Sequence, residues 1–204
     1  MALARAIAPE PKLLLLDEPF SNLDSDLRQE LGQELRALLK ELRITALMVT
    51  HDHTDAFTLA DKIGVINDGL LNQWGTPDDL YRRPRNRFVA QFVGDGVFIS
   101  GIVSDKGLIQ TSLGELEPIE QSGFSQGTKV DVLMRPEQIQ AGQNGLSNAT
   151  ITGRFHRGAY ALLSAELNDG THVVWSTSTE QPLEIGQELS LSSKKTKVIC
   201  FPKN

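Results

Sequence analysis

An apolar run near the start of the chain ends in two acidic residues. Four leucines, Leu13–Leu16, lead directly into Asp17 and Glu18, and Pro19 follows. A continuous apolar run is typical of a strand that is covered on both faces in a parallel sheet. Proline has no backbone N–H and ends such a strand. The pattern therefore predicts a buried strand that delivers two adjacent carboxylates to its carboxyl end.

A helix and a second strand are predicted next. Leucines recur at helical spacing over residues 27–42, behind a capping residue at Asp24 or Ser25, and the apolar run 46–50 leads into His51. A strand–helix–strand unit has parallel strands that end at the same edge of the sheet. We therefore expect the two carboxylates and the imidazole to converge there, where ligands of open α/β sheets bind.

A hairpin and two helices are predicted after the second strand. An Asp-Gly pair between the runs 62–67 and 70–74 predicts a hairpin. Thr76 begins a capping pattern for the next helix, and residues 87–93 form a further helical stretch that Gly94 closes.

After Gly96, short β-like runs separated by glycine, serine and asparagine predict a small barrel or sandwich. These runs are 98–103, 108–111, 130–134, 149–153, 162–167, 172–176 and 188–191. We place the domain boundary at Gly94 to Val97, which divides the chain into residues 1–96 and residues 97–204.

Composition excludes several classes of partner. The formal net charge of −6 divides into −4 up to Gly96 and −2 beyond it, so neither part has the basic surface of a nucleic-acid-binding protein. No apolar stretch approaches the roughly 20 residues of a membrane helix, so we expect any membrane contact to go through a partner. Cys200 is the only cysteine, which excludes an internal disulfide and fits a reducing compartment.

Several motifs of the first part, taken in order and spacing, resemble the second half of an ABC-type ATPase domain. Residues 13–19 are similar to the Walker B segment, Ser21 to Asp24 to the loop that crosses to the partner subunit, and His51 to the switch histidine. Residues 1–12 are similar to the helix that follows the signature sequence of the family. The resemblance runs to about Gly94 and implies a P-loop fold with parallel strands.

Two motifs of that family are missing from the chain. None of the 17 glycines precedes a lysine, so the phosphate loop G-x-x-x-x-G-K-[S/T] is absent, and no Leu-Ser-Gly-Gly-Gln signature occurs. The sequence is therefore expected to be an N-terminally truncated ATPase subunit. We predict that the 204-residue chain by itself neither binds nor hydrolyses ATP appreciably.

The resemblance implies a role for each retained residue. Asp17 would hold Mg²⁺ through a coordinated water, Glu18 would act as general base toward the attacking water, and His51 would contact the γ-phosphate of ATP. Ser21 and Asp24 would contact the second subunit of a homodimer. The family further implies transmembrane permease subunits as partners and a peripheral place at the cytoplasmic face of the inner membrane.

The tail, with its Leu133-Met134-Arg135-Pro136-Glu137 segment, resembles the oligosaccharide-binding-like TOBE domain of bacterial import systems. It implies a regulatory and dimer-stabilising role. For Arg135, Pro136 and Glu137 the alternative interpretation is a strand end with an exposed ion pair. The junction of residues 88–94 with residues 96–101 is most similar to ferric-iron transporters, while polyamine, sulfate and sugar importers share much of the plan.

Two other functions stay open at the level of sequence. Without a phosphate loop the chain can be a non-catalytic regulatory or dimerisation module. The segment with His51, His53 and Asp55 also resembles the zinc site of a metallo-hydrolase of the β-lactamase fold. In that pattern the next position is a histidine, whereas this chain has Ala56, which cannot bind a metal. The hydrolase also leaves the acidic pair and the loop that follows it unexplained.

Overall fold

The chain folds into two compact units. The computed structural model describes residues 2–119, 123–142, 145–194 and 197–203, and Met1 lies outside them. Contacts between Cα atoms separate the chain between Arg82 and Arg83. The stretch from residue 83 to residue 96 therefore belongs to the second compact unit, ahead of the predicted domain boundary at Gly94 to Val97. The division of the chain into family domains at residues 96 and 97 stays a prediction.

The first unit is mixed α/β. Its elements are α1 (Ala2–Ile7), β1 (Leu13–Asp17), α2 (Ser25–Glu41), β2 (Thr45–Val49), α3 (His53–Leu59), β3 (Ile63–Asn67), β4 (Leu70–Gly75) and α4 (Pro77–Arg82). Strands β1 and β2 pair in parallel, with Asp17 opposite Val49, and α2 connects them. The strand–helix–strand unit predicted from the leucine spacing is therefore confirmed.

One expectation about the first strand is wrong for the described residues. Leu14 is buried in a cluster with apolar residues of α1 and α2, but Leu13 and Leu15 are more than half exposed. On β2, Leu47 and Val49 are exposed in the same way. The helices of this unit cover one face of the two strands, so the other face remains apolar and open to solvent.

The predicted hairpin and capping pattern are confirmed. Strands β3 and β4 are antiparallel. Asp68 and Gly69 both have positive φ angles, of 50° and 73°, as a two-residue turn of type I′ requires. At the start of α4, the Thr76 hydroxyl accepts from the Asp79 N–H at 3.1 Å, and the Asp79 carboxylate accepts from the Thr76 N–H at 3.1 Å.

The second unit is almost entirely β. Its elements are α5 (Arg87–Phe92), β5 (Val97–Val103), β6 (Ile109–Thr111), β7 (Gly114–Pro118), β8 (Lys129–Met134), a 3₁₀ turn (Pro136–Gln138), β9 (Ile139–Ala141), β10 (Ser147–His156), β11 (Tyr160–Leu167), β12 (His172–Ser178), β13 (Glu188–Ser193) and β14 (Lys197–Pro202). A closed barrel has the order β14-β7-β6-β5-β8, and a five-stranded sheet has the order β12-β11-β10-β13-β9. Both contribute to a single apolar core.

A glycine permits the barrel to close. Gly101 of β5 pairs with Thr111 of β6 and with Val130 of β8. A Cβ atom at this position would lie 2.4 Å from Cγ2 of Ile109, closer than two carbon atoms can approach. Only glycine fits between the neighbouring side chains here.

The segment at Arg135 differs from one of its two sequence interpretations. Arg135 is 4% exposed, and its Nη1 donates to the carbonyls of Gly94 at 2.7 Å and of Asp95 at 3.0 Å. The interpretation as a strand end with an exposed ion pair is therefore wrong for Arg135. The guanidinium is buried because it satisfies backbone carbonyls at the junction between α5 and β5.

The only cysteine of the chain is partly buried. Desolvation by burial raises the pKa of the Cys200 thiol from 9.0 to about 11, so the cysteine is a protonated and partly buried side chain of β14. Among the residues that the structure describes, no helix has both the length and the apolar character needed to cross a bilayer.

Candidate functional site

Glu18 and His51 meet at the carboxyl edge of the parallel pair. The Glu18 N–H donates to the Val49 carbonyl at 2.8 Å, which extends the strand pairing by one residue. The His51 Nδ1 and the Glu18 Oε1 lie 3.0 Å apart. Since a carboxylate can only accept, Nδ1 carries the proton and donates. The two side chains are 75% and 46% exposed respectively, so the pair is open to an incoming ligand.

Glu18 has an unusual backbone conformation. Its φ angle is +43°, in the left-handed region that non-glycine residues rarely adopt. The Val49 carbonyl holds its N–H, and its own carbonyl accepts from both the N–H and the hydroxyl of Ser21, at 3.2 and 3.0 Å. Such conformations persist where surrounding bonds hold them, and they concentrate at functional sites.

Asp17 is the last residue of β1 and precedes this strained position. Its carboxylate is exposed and forms no hydrogen bond or ion pair with the described part of the chain. Mg²⁺ is usually held in proteins through one or two carboxylates while it keeps several waters. An exposed carboxylate at a strand end, next to Glu18, fits a hydrated Mg²⁺.

We call residues 21–24 the cross-dimer loop, after the role that the family resemblance implies for it. Ser21 is bound to the Glu18 carbonyl, and Asp24 caps α2 by accepting from the Leu27 N–H at 2.9 Å. The Ser21 and Asp24 residues are exposed. Hydrogen bonds thus tie one end of the loop to Glu18 and the other end to the first turn of α2.

The turn after His51 carries two carboxylates with opposite pKa shifts. Partial burial works against the charge of Asp52, but hydrogen bonds from the N–H groups of Thr54 and Asp55, with the positive charge of Arg28, outweigh it and lower the pKa of Asp52. Asp55 is 7% exposed, and its burial and the negative charge of Asp52 raise its pKa. Asp52 is therefore the ionised cap of α3.

This arrangement predicts a pH-dependent stability. A lowered folded-state pKa stabilises the folded protein above the ordinary aspartate pKa of 3.8, and the gain disappears as the pH falls through the folded value. We expect Asp52→Asn to lower the free energy of unfolding of the first unit by about 1 kcal/mol at pH 6, and by progressively less as the pH falls from 3.8 through the folded-state pKa. Urea unfolding of Asp52→Asn and of the parent chain, followed through NMR signals of α3 at pH 6 and at successively lower pH, measures the difference in their free energies of unfolding.

Asp61→Asn is the control for that measurement. Asp61 pairs with Arg36 and Lys40 through a side chain that is 74% exposed. Exposed pairs of this kind contribute little to stability. A difference for Asp52→Asn that stayed constant down to low pH would contradict the assignment of an ionised cap.

Sequence reasoning missed Arg28. It forms an ion pair with Asp52 and donates from Nη2 to the Leu23 carbonyl at 3.2 Å. Its position in the first turns of α2, behind the capping Asp24, was the only signal available. The contact with Asp52 depends on how α2 packs against α3, which spacing along the chain does not reveal.

The zinc interpretation finds no site in the structure. His51 is bound to Glu18, and the carboxylate of Asp55 is buried and accepts from the Thr50 hydroxyl at 3.4 Å. Within residues 2–119, 123–142, 145–194 and 197–203, no three His, Cys, Asp or Glu side chains lie together in a way that could hold a metal ion. The zinc hydrolase is therefore withdrawn as an alternative.

The tail matches a known domain family. Residues 132–201 match the family described as "TOBE domain". The second unit thus contains a segment that is similar to this family. The match begins within β8 and ends within β14, so it includes the sheet, the 3₁₀ turn and two strands of the barrel. The TOBE resemblance predicted from the β-like runs and the Arg135 segment is confirmed.

Nearly the whole chain is similar to curated import proteins. A spermidine/putrescine import ATP-binding protein of Acetivibrio thermocellus is 37% identical over 195 residues, which cover 94% of this chain and 54% of that protein. The protein of the same name from Borreliella afzelii is 38% identical over 194 residues, with the same two shares. The chain thus spans about half the length of these relatives.

Among solved structures, the cytoplasmic molybdate-binding protein ModG has a TM-score of 0.44 to this chain at 16% identity. That likeness covers 52% of this chain and 96% of ModG.

Proposed function

We propose that this chain supplies the water-activating part of the ATP site in the ATP-binding subunit of an ABC importer. The observation that carries the proposal is the contact between Glu18 and His51 at the edge of the parallel strands. Similarity over 94% of the chain to import ATP-binding proteins supports it. The first unit would then be the carboxyl-terminal half of a P-loop ATPase domain with parallel strands.

The chemistry of the site suits phosphoryl transfer to water. That reaction needs an oriented nucleophile and stabilisation of charge more than covalent catalysis. The Glu18 carboxylate would orient the water and accept its proton. His51 donates from Nδ1 to Glu18, which fixes the imidazole, and Nε2 would donate to the γ-phosphate of ATP when the ring carries a proton on both nitrogens. Asp17 would hold a hydrated Mg²⁺, which neutralises phosphate charge when bound.

The partners follow from the same assignment. Ser21 and Asp24 of the cross-dimer loop would meet the second subunit of a homodimer, and transmembrane permease subunits would provide the only membrane contact. The assembly would lie at the cytoplasmic face of the inner membrane. The TOBE domain would regulate the ATPase and stabilise the dimer.

A second candidate is a non-catalytic dimerisation module. The observation in its favour is that residues 83–204 form a compact unit with an apolar core of their own. Size measurement of the 204-residue chain with and without ATP separates the two candidates. A dimer that forms without nucleotide favours the module, and association of this chain that depends on ATP would contradict the prediction that it does not bind ATP by itself.

The solute is a separate question. The ferric-iron prediction from residues 88–101 has no support in the comparisons, and the relatives named above carry spermidine/putrescine in their names. We infer that a polyamine is the better candidate. Uptake of labelled spermidine and of ferric iron in a strain without this gene, compared with the complemented strain, distinguishes the two.

The test of the proposed function uses what we call the complete subunit, these residues in one polypeptide with a phosphate loop. We expect it to hydrolyse Mg-ATP, and we expect equilibrium dialysis to detect no tight ATP binding by the 204-residue chain alone. The physical reason is that backbone N–H groups and a lysine of the phosphate loop make most of the contacts that bind the phosphates of ATP. Tight binding with phosphate release by the chain alone would contradict the assignment.

A further inference from the structure

We propose that Arg28 is a positioning residue that couples the cross-dimer loop to His51. This inference rests on the proposed function, because it assigns Arg28 to the same ATP site. Arg28 touches neither Glu18 nor His51 in the contacts described above. It acts through the two segments that it joins, the loop before α2 and the turn before α3.

The guanidinium of Arg28 joins these segments through one rigid group. Its Nη2 donates to the Leu23 carbonyl in the cross-dimer loop, and its Nη1 pairs with Asp52, the residue after His51. The guanidinium is planar, so its two donors cannot move independently. The side chains of Arg28 and Asp52 are 24% and 28% exposed, which shields the pair from solvent more than a surface pair.

Asp52 passes this constraint to His51. The Asp52 N–H donates to the Thr50 hydroxyl at 3.0 Å, and its carboxylate caps α3. His51 therefore lies between a strand end and a capped helix. A displacement of Asp52 would therefore reach His51 directly, because the two residues are adjacent in the chain.

The contacts form a closed ring around the site. Ser21 binds the Glu18 carbonyl at one end of the loop, and Arg28 binds the Leu23 carbonyl near the other end. Glu18 binds His51, and Asp52 returns to Arg28. A change in the loop on contact with a second subunit would reach the catalytic pair from both sides. Arg28 provides the side of the ring that contains no catalytic residue.

The same helix offers a matched control. About two turns further along α2, Arg36 donates from Nη1 to the Thr58 carbonyl and from Nη2 to Asp61, both at 2.8 Å. Arg28 and Arg36 thus each bind one backbone carbonyl and one carboxylate, and each joins α2 to the region of α3. Only Arg28 joins the cross-dimer loop. An effect of Arg28 that is merely structural should be reproduced by Arg36.

The first experiment uses the 204-residue chain and needs no ATP. It follows the imidazole NMR signals, of which there are four, from His51, His53, His156 and His172. We expect Arg28→Met to shift the His51 signal by more than its linewidth and to leave the signals of His156 and His172 in place. Arg36→Met should leave the His51 signal in place. Arg28→Lys keeps the positive charge but lacks the two linked N–H donors of the guanidinium, so it should shift the His51 signal less than Arg28→Met does. If Arg28→Met does not fold, Arg28→Lys takes its place in the experiment.

The second experiment measures turnover by the complete subunit. We expect Arg28→Met to lower kcat roughly tenfold with a change in the KM for ATP of less than about twofold, because misplacement of His51 affects the reacting geometry more than ATP binding. Arg36→Met should change kcat by less than about twofold. Arg28→Lys should recover part of the loss.

The outcomes separate the inference from the proposed function. An unmoved His51 signal in both Arg28 variants, or equal shifts from Arg28→Met and Arg36→Met, would overturn the positioning role whatever the ATPase does. Equal losses of kcat in the two methionine variants would overturn it as well. A complete subunit that hydrolyses no ATP would instead overturn the proposed function, and the NMR result would still decide whether Arg28 positions His51.

Discussion

Replacing Glu18 by glutamine in the complete subunit is expected to lower ATP turnover by about a hundredfold or more while ATP binding is retained. Glutamine has the same shape but cannot accept a proton from the attacking water. Its amide oxygen can still accept from His51 Nδ1, now 3.0 Å from the Glu18 carboxylate, so the geometry of the pair is kept. Phosphate release in a single turnover and equilibrium binding of ATP measure the two quantities separately.

Glu30→Gln is the control for this experiment. Glu30 is an exposed carboxylate on α2, and its replacement removes the same charge from the first unit. We expect it to change turnover by less than about twofold. Unchanged turnover in Glu18→Gln would refute the role of Glu18 as general base, and loss of ATP binding would show that the residue acts on the nucleotide rather than on water.

Replacing Arg135 by methionine is expected to destabilise the second unit by about 3 kcal/mol. The Arg135 guanidinium is buried and donates to two carbonyls at the junction between α5 and β5. Removal of the donor takes a charge-assisted hydrogen bond from each of the two carbonyls, and a hydrogen bond to a charged group contributes roughly 1.5–3 kcal/mol. Urea unfolding measures the change through the fluorescence of Trp175, which is 1% exposed in the core of this unit.

The fluorescence experiment uses a chain with a single tryptophan and has a matched control. The chain has two tryptophans, so Trp74→Phe leaves Trp175 as the only reporter. Lys197→Met removes a basic residue of β14 whose side chain is 61% exposed and pairs with Glu117. We expect this control to cost less than about 0.5 kcal/mol. A loss of that small size for Arg135→Met would restore the interpretation of Arg135 as a member of an exposed pair.

Two strands that the sequence analysis did not predict form through pairing with their neighbours, without a strong pattern of their own. Strand β7 (Gly114–Pro118) has one fully buried residue, Leu116, and β9 (Ile139–Ala141) is three residues long. Neither has an apolar alternation long enough to predict a strand. β7 forms because β6 and β14 lie on its two sides, and β9 forms because β13 pairs with it. Their strand character comes from their neighbours.

Patterns along the chain are enough to predict the elements with strong local signals and the place of the acidic pair. Leucine spacing, the Asp-Gly turn and the Thr76 cap act over a few residues, so no distant contact is needed to predict them. The parallel strand–helix–strand unit places Glu18 and His51 at one edge through chain connectivity alone.

The side chains that support those elements are revealed by the packing of the folded chain. The acceptors of Arg28 lie in the loop before α2 and at the cap of α3, and those of Arg135 lie at residues 94 and 95, far from it in sequence. The exposure of one face of β1 could not be predicted from sequence either, because a run of leucines has the same pattern whether one face of the strand is covered or both are. Burial and side-chain partners depend on how separate elements pack, and the order of residues along a chain does not specify those distances.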